Sequence, residues 1–458
     1  MSEEAMETLG KEALNHIWFH VTPPKALADG GLMLFESGAN CTLRGADGRD
    51  YLDALAGGAF VTNVGHGRAE IAQAMARQAA ELAYVTPYNF ATRSTIALAK
   101  KIAELAPGDL DRVFFTNGGS EAVETALKIA KQYHWLGGDK KRTKIISRRG
   151  SYHGSTHYAM SVTGASFDYN SKIFAPLVSG CIQAPAHNCY RCELETTYPQ
   201  CDVLCARMIE KAILHEGPDT VAAIIAEPVP AAASIYTPPD EYLPKLREIA
   251  DRYGILLILD EVINGFGRTG KMFASEHWGV VPDIMTVAKG LTSGYAPMGA
   301  AIAGPKVTSR FESVAGRESG LNHVSTFGGH AAAAAAALEN IAIIEREHLV
   351  ENARVMGEYL LEGLNTLRSM PIVGDVRGIG LLAAVEIVRD KKTRAPFAPS
   401  DMMAPRVTAK MRDLGVLMRT FQVAEFGPPL CITRAEVEQI VSAMEQTLAW
   451  FAKETGVV

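Results

Sequence analysis

No uncharged apolar run in the 458-residue chain approaches the roughly 20 residues that cross a bilayer as a helix. The opening stretch MSEEAMETLGKEAL is acidic and lacks the basic and apolar regions of a secretory signal. Both absences point to a soluble, cytoplasmic protein. No long basic block stands against a formal net charge of −6, from 45 basic and 51 acidic residues, so nucleic acid and anionic membranes are poor partners and small polar molecules remain open. Seven cysteines, an odd number with no signal ahead of them, argue for reduced thiols rather than a disulfide framework. No internal repeat is found. What is present is an ordinary globular composition, 48% hydrophobic and 21% charged, in a chain long enough for two or more domains.

From about residue 110 to 305, short apolar runs alternate with helical patterns, as in a doubly wound α/β sheet. The runs are RVFFTN, KIISRR, VAAIIAEP, ILLILDE, DIMTVAKG and MGAAIAG, most of them apolar on both faces, which predicts a mainly parallel sheet covered by helices. Between them, SEAVETALKIAKQY places Ala122, Val123, Ala126, Leu127 and Ala130 on one helical stripe, and EYLPKLREIADRYG ends at Gly254, a helix stop. The seven alanines 331–337 open a closely packed helix. VRGIGLLAAVEIV reads as turn and strand, RAEVEQIVSAMEQTLAWFAKE as a closing amphipathic helix, and GADGRDYLDAL as a hairpin. The expected organisation is a large domain over 71–330 and a smaller α+β domain built from residues 1–70 and 331–458.

Ligands in open α/β sheets sit at the carboxyl ends of the strands, so polar residues there come first. VFFTNGGSEAVET leaves a strand through Gly118 and Gly119 into a helix at Ser120, offering free backbone N–H groups and a positive dipole end to an anion. That cup is neither a Walker loop nor a GxGxxG fingerprint, and a tight turn with an N-cap serine explains it as well. Asp260 ends the most apolar strand, ILLILDE, where an isolated carboxylate costs several kcal/mol unless a cation faces it. The next strand, DIMTVAK, delivers Lys289 before Gly290. Opposite charges on neighbouring strand ends, near an anion cup and Tyr152 of SYHGST, point to a phosphorylated heteroaromatic aldehyde. Pyridoxal 5'-phosphate is that ligand, with Lys289 joined to its aldehyde and Asp260 keeping the pyridine nitrogen protonated. The glycines of NGFGRTG are expected to let backbone crowd near the cofactor.

FTNGGSEAVETALKIAK, SYHGST, AEPV, LILDEVINGFGRTG, DIMTVAKGL and STFGGH, in this order and spacing, resemble the class III (omega) aminotransferases of fold type I, from about residue 35 to the C-terminus. The resemblance implies a large domain around a central, mainly parallel seven-stranded sheet and a dimer whose active sites lie at the subunit interface, with further association into a tetramer left open. It implies that Gly119 and Ser120 bind the phosphate, that Tyr152 stacks on the ring and that Val262 packs on its other face. Thr326 matches a threonine reaching the neighbouring subunit's phosphate. Glu227 resembles a glutamate near the substrate-carboxylate arginine, and Arg419 matches a mobile arginine that pairs with a substrate carboxylate. The implied reaction moves an amino group from an amine or ω-amino acid to a keto acid such as pyruvate.

The sequence departs from the family pattern at PAAAS after AEPV, at Phe60 near a common pocket tryptophan, at the alanine following His330, and after Arg419, where the stretch is roughly a residue short. A decarboxylase, aminomutase or epimerase would share the cofactor residues. A nucleotide-binding oxidoreductase would leave Lys289 unexplained, and a silent binding protein would not keep Asp260 and Lys289 together. Cys189, Cys192, Cys201 and Cys205 have a C-x2-C then C-x3-C spacing that could take zinc, but their short spacer fits a surface insert with free thiols, and no metal is expected. His153 and His323 are read as hydrogen-bonded structure rather than catalysts.

Overall fold

A computed structural model describes residues 3–164, 173–232, 234–421 and 423–457; Ala233 of the PAAAS stretch and Gln422 after Arg419 lie outside them. Among the described residues, fifteen strands build three sheets. The N-terminal strands are β1 (Phe35–Ala39), β2 (Thr42–Gly45) and β3 (Asp50–Asp53). The central sheet takes β4 (Arg112–Thr116), β5 (Lys144–Arg148), β6 (Cys181–Ala184), β7 (Val221–Ala226), β8 (Leu256–Asp260), β9 (Ile284–Val287) and β10 (Gly299–Ala303). The C-terminal strands are β11 (Val373–Ile379), β12 (Leu382–Ile387), β13 (Val416–Leu417), β14 (Arg419–Thr420) and β15 (Val423–Phe426).

The central order is β4-β10-β9-β8-β7-β5-β6. β5, β6, β7, β8 and β9 pair in parallel, and β10 runs antiparallel to both β9 and β4. Every residue of β7, β8 and β9 is buried, which is why their sequences show no alternation: helices cover both faces. β6 was not legible as an apolar run, because CIQA is a short, half-buried strand at the sheet edge. The helix Gly119–Leu136 buries the stripe that its sequence predicts, and the helix Tyr242–Arg252 packs on β8 before Gly254, whose φ of +61° closes the turn.

The alanine run opens the helix Ala331–Arg346, which packs against the helices Ala69–Glu81 and Arg93–Leu105. Small side chains let these axes approach closely. The predicted hairpin forms as β2–β3, and β13 then pairs in parallel with β3, Val416 opposite Leu52, so the two ends of the chain share one sheet. The third sheet has the order β11-β12-β15-β14. Thr433 and Glu436 form a capping box at the start of the closing helix Arg434–Glu454. Among the described residues no helix is long and apolar enough to cross a membrane.

Candidate active site

The parallel strands bring their carboxyl ends to one edge, and the chemistry gathers there. Asp260, the last residue of β8, is buried. Its Oδ1 accepts from Thr286 Oγ1 (3.0 Å) on β9 and from Val262 N (3.1 Å), while Oδ2 faces His153 Nδ1 at 2.7 Å. A carboxylate only accepts, so His153 Nδ1 carries the hydrogen; its Nε2 is buried without a partner among the described residues. The imidazole was read as structural from sequence. It is the direct support of the site's central acid, and its signal was its place directly after Tyr152 on the loop leaving β5.

Lys289 follows β9 with φ at +36°, in the left-handed region that costs an L-residue on the order of 1–3 kcal/mol. Such strain at a strand end aims the side chain inward, where Nζ donates to the Ala59 carbonyl (3.0 Å) and lies 5.9 Å from the Phe60 ring centre. Burial, helped by the Arg419 guanidinium and opposed by Asp260, lowers the Lys289 ammonium from its usual range to about 8. Phe60 is itself buried, also at positive φ (59°), and presses on Gly427, where a Cβ would come 2.3 Å from the ring.

Gly119 and Ser120 open the helix Gly119–Leu136, whose N-cap Gly118 supplies no side-chain cap. The first N–H groups of a helix have no intrahelical acceptor, so this end presents donors and a positive dipole. A Cβ on Gly119 would meet Val262 Cγ1 at 2.8 Å, and one on Gly154 would meet Ser120 Oγ at 2.4 Å. Glycine at these two positions therefore lets the Val262 side chain and the Tyr152–Ser155 loop close on the helix end; Ser155 N donates to Ser120 Oγ at 3.1 Å.

Glu227 lies buried against the Tyr152 loop. Its carboxylate accepts from Tyr152 N (3.3 Å to each oxygen) and lies 3.8 Å from the buried Arg148 guanidinium, whose Nη1 meets His187 Nδ1 at 3.1 Å. Arg419 pairs instead with Glu425, its direct neighbour across β14 and β15: Nε and Nη2 both donate to Oε2, at 2.8 and 2.6 Å. Glu227 braces the Tyr152 loop and Glu425 holds the arginine, because β15 turns that acid toward Arg419. The Arg419 guanidinium also lies over the rings of Phe60 (5.4 Å) and Phe421 (5.0 Å). Burial raises the Glu425 carboxyl to about 7 against the opposing pull of Arg419.

In the glycine loop after Asp260, a Cβ on Gly267 would meet Leu430 Cδ1 at 2.8 Å and one on Gly270 would meet Arg354 at 3.0 Å, so these glycines let the loop close against later segments of the chain. Arg268, fully buried, donates to the Pro428 carbonyl and to Asn63 Oδ1 (2.7 Å), and Asn63 Nδ2 donates back to the Phe266 carbonyl (2.9 Å). It is a structural latch between three distant segments. Thr326 is exposed; its carbonyl accepts from Tyr84 Oη (2.9 Å), and neighbouring Ser325 bonds Asn117 and Glu121 at the start of the cup helix. Cys189, Cys192, Cys201 and Cys205 line one cavity of about 20 Å³, all four are free thiols, and among the described residues no group of three or more potential ligands could hold a metal ion.

A phosphorylated pyridine aldehyde asks for an amine, a buried acid and an anion cradle at one edge, and Lys289, Asp260 and the Gly119–Ser120 helix end meet those demands. Because only the free amine attacks an aldehyde, cofactor-free protein should take up added pyridoxal phosphate faster as pH rises through about 8, with a plateau above it. Stopped-flow absorbance measures this; a capture rate independent of pH on both sides of that value would contradict the placement of Lys289.

The family model for aminotransferase class-III matches residues 27–448. A probable aminotransferase of Mycobacterium tuberculosis is 41% identical, covering 97% of this chain and 95% of that protein. The taurine–pyruvate aminotransferase of Bilophila wadsworthia is 38% identical over 96% of this chain and 97% of its own length. Among solved structures, an (S)-enantioselective omega-transaminase of Thermomicrobium roseum superposes with a TM-score of 0.93 at 39% identity, covering 97% of this chain and 98% of that one.

Proposed function

The chain belongs to the class III aminotransferases, which depend on pyridoxal 5'-phosphate, and on that premise we propose that it moves an amino group from an amine or ω-amino acid donor to pyruvate, giving alanine. The observation that carries the reading is Lys289 beside buried Asp260 on adjacent strand ends, at the mouth of the Gly119–Ser120 cradle. Pyruvate as acceptor is supported by the taurine–pyruvate enzyme among the relatives.

When bound, the cofactor supplies a carbonyl that takes up the donor nitrogen and a ring that holds negative charge while the substrate carbon loses its proton. In our assignment Lys289 would anchor it and, once released, would hold and move a proton at Nζ. Asp260, fixed by His153 and Thr286, would keep the ring nitrogen protonated through its charge. Gly119 N–H and Ser120 Oγ would hold the phosphate, Tyr152 and Val262 would pack against the ring, and Phe60, over whose ring Lys289 and Arg419 both lie, would wall the substrate side. Arg419 binds the keto acid carboxylate. Thr326 contributes to the phosphate site of a second copy, in a homodimer that exposed Tyr84, Val324 and Phe327 beside it support. The division into 71–330 and a smaller domain of 1–70 with 331–458, and a cytoplasmic location, belong to the same proposal.

A donor panel with pyruvate tests it: alanine should appear in step with ketone or aldehyde. Carbon dioxide or an isomerised donor in place of alanine would move the enzyme to another class III reaction. Arg419→Ala should raise the KM for pyruvate by roughly 10- to 100-fold, the worth of one hydrogen bond to a charged group, with a smaller change in kcat for a simple amine donor. An unchanged pyruvate KM would remove Arg419 from the substrate site.

A further inference from the structure

The stretch after Arg419, short against the family pattern, forms the hairpin β14–β15, and its register decides what faces the substrate. Along β15, Ala424 and Phe426 join the large core, whereas Val423 and Glu425 point to the opposite face. That face is the apolar wall of Phe60, Val229, Ala231, Ile263 and Ala384, with Ala384 directly across from Glu425. A carboxylate thus stands buried in an otherwise hydrophobic wall, with Arg419 and Lys289 both lying over the Phe60 ring.

Its two oxygens are unequally used. Arg419 directs both hydrogen bonds to Oε2, and Oε1 is buried with no partner among the described residues. Buried acceptors are rarely left empty, so an unfilled carboxylate oxygen beside Arg419, and over the ring that Lys289 also faces, marks a place for a donor group. We propose that Glu425 sets the choice of amino donor, its Oε1 accepting the far ammonium of a short-chain diamine whose near amine reacts beside Lys289. This rests on the aminotransferase reading and names the donor class for the same site.

Charge arithmetic favours a cationic tail over an anionic one. A donor carrying a carboxylate or sulfonate must draw Arg419 away from Glu425, which strips a buried acid of its hydrogen-bonded cation and leaves it only the charges of Arg377 and Lys289. A diamine adds a cation to the empty oxygen and leaves the Arg419–Glu425 pair intact, and a plain monoamine fills nothing. The keto acid half-reaction meets the same penalty as an anionic donor, and Glu425 offsets part of it by its readiness to take up a proton near neutral pH.

The test uses the holoenzyme with pyruvate as acceptor and two matched pairs, putrescine with butylamine and cadaverine with pentylamine. The wild type should favour at least one diamine over its monoamine in kcat/KM. In Glu425→Gln, which keeps an oxygen for Arg419 and removes the charge, that diamine-to-monoamine ratio should fall roughly 10- to 100-fold. A change shared equally by both amines would reveal a merely structural role and overturn the proposal. So would a wild type that turns over each pair alike, a result that needs no variant and leaves the aminotransferase reading standing. Absence of alanine with every amine would overturn that reading and this inference with it.

Discussion

Lys289→Ala is expected to lower transamination by at least ~10⁴-fold, the scale on which enzymes lose rate when a covalently acting group is removed. Two functions disappear together: the anchor for the cofactor and the base that moves the proton. Among the described residues, Lys289 is the lysine whose Nζ meets the Ala59 carbonyl and the Phe60 ring. The fold should persist, since alanine at φ +36° bears the same backbone strain as lysine and Asp260 keeps its three hydrogen-bond donors. Borohydride treatment of the wild type should fix the cofactor irreversibly to the peptide containing Lys289, seen as a mass gain, and the variant should show no such adduct. Undiminished turnover in the variant would refute the assignment of Lys289 outright.

For Asp260→Asn the expected loss is about 10²- to 10³-fold in kcat, typical of removing one preorganised charge from a buried site, with cofactor still taken up in part. The substitution is nearly isosteric, so the space on β8 is unchanged. What changes is the polarity of the acceptors. Asp260 receives three donors, from His153 Nδ1, Thr286 Oγ1 and Val262 N, and an amide offers one oxygen where the carboxylate offers two. One donor is left facing an NH₂ group, and the negative charge that would hold a ring proton is gone. Steady-state kinetics together with a cofactor titration separates the two effects: a fall in kcat with partial binding supports the electrostatic role, and near-normal kcat would contradict it.

The sheet and the two charged residues at its edge were legible because their signals are local. ILLILD and IMTVAK each place a charged side chain at the end of an apolar strand, a contrast that burial alone makes conspicuous. β6 escaped because an edge strand has no need of a greasy sequence. Arg268 shows the opposite case: nothing local in its sequence announces that it holds Asn63 and Pro428, which lie far away along the chain. The contacts of Glu227, to Tyr152 N and Arg148, were not legible in the AEPV motif, because they join segments 75 and 79 residues away.

By itself the sequence determined the α/β class through its periodicity, the family and its cofactor through the resemblance of six motifs in order, and the placing of Asp260 and Lys289 after neighbouring apolar strands. Only the tertiary structure decided that His153 supports Asp260 from 107 residues away, that Arg268 is a latch, and that Glu425 pairs with Arg419. The last of these turns on hairpin register, where a slip of one residue sends every side chain of a strand to the other face. Composition does not encode that choice; the packing of β15 against β12 and β14 makes it.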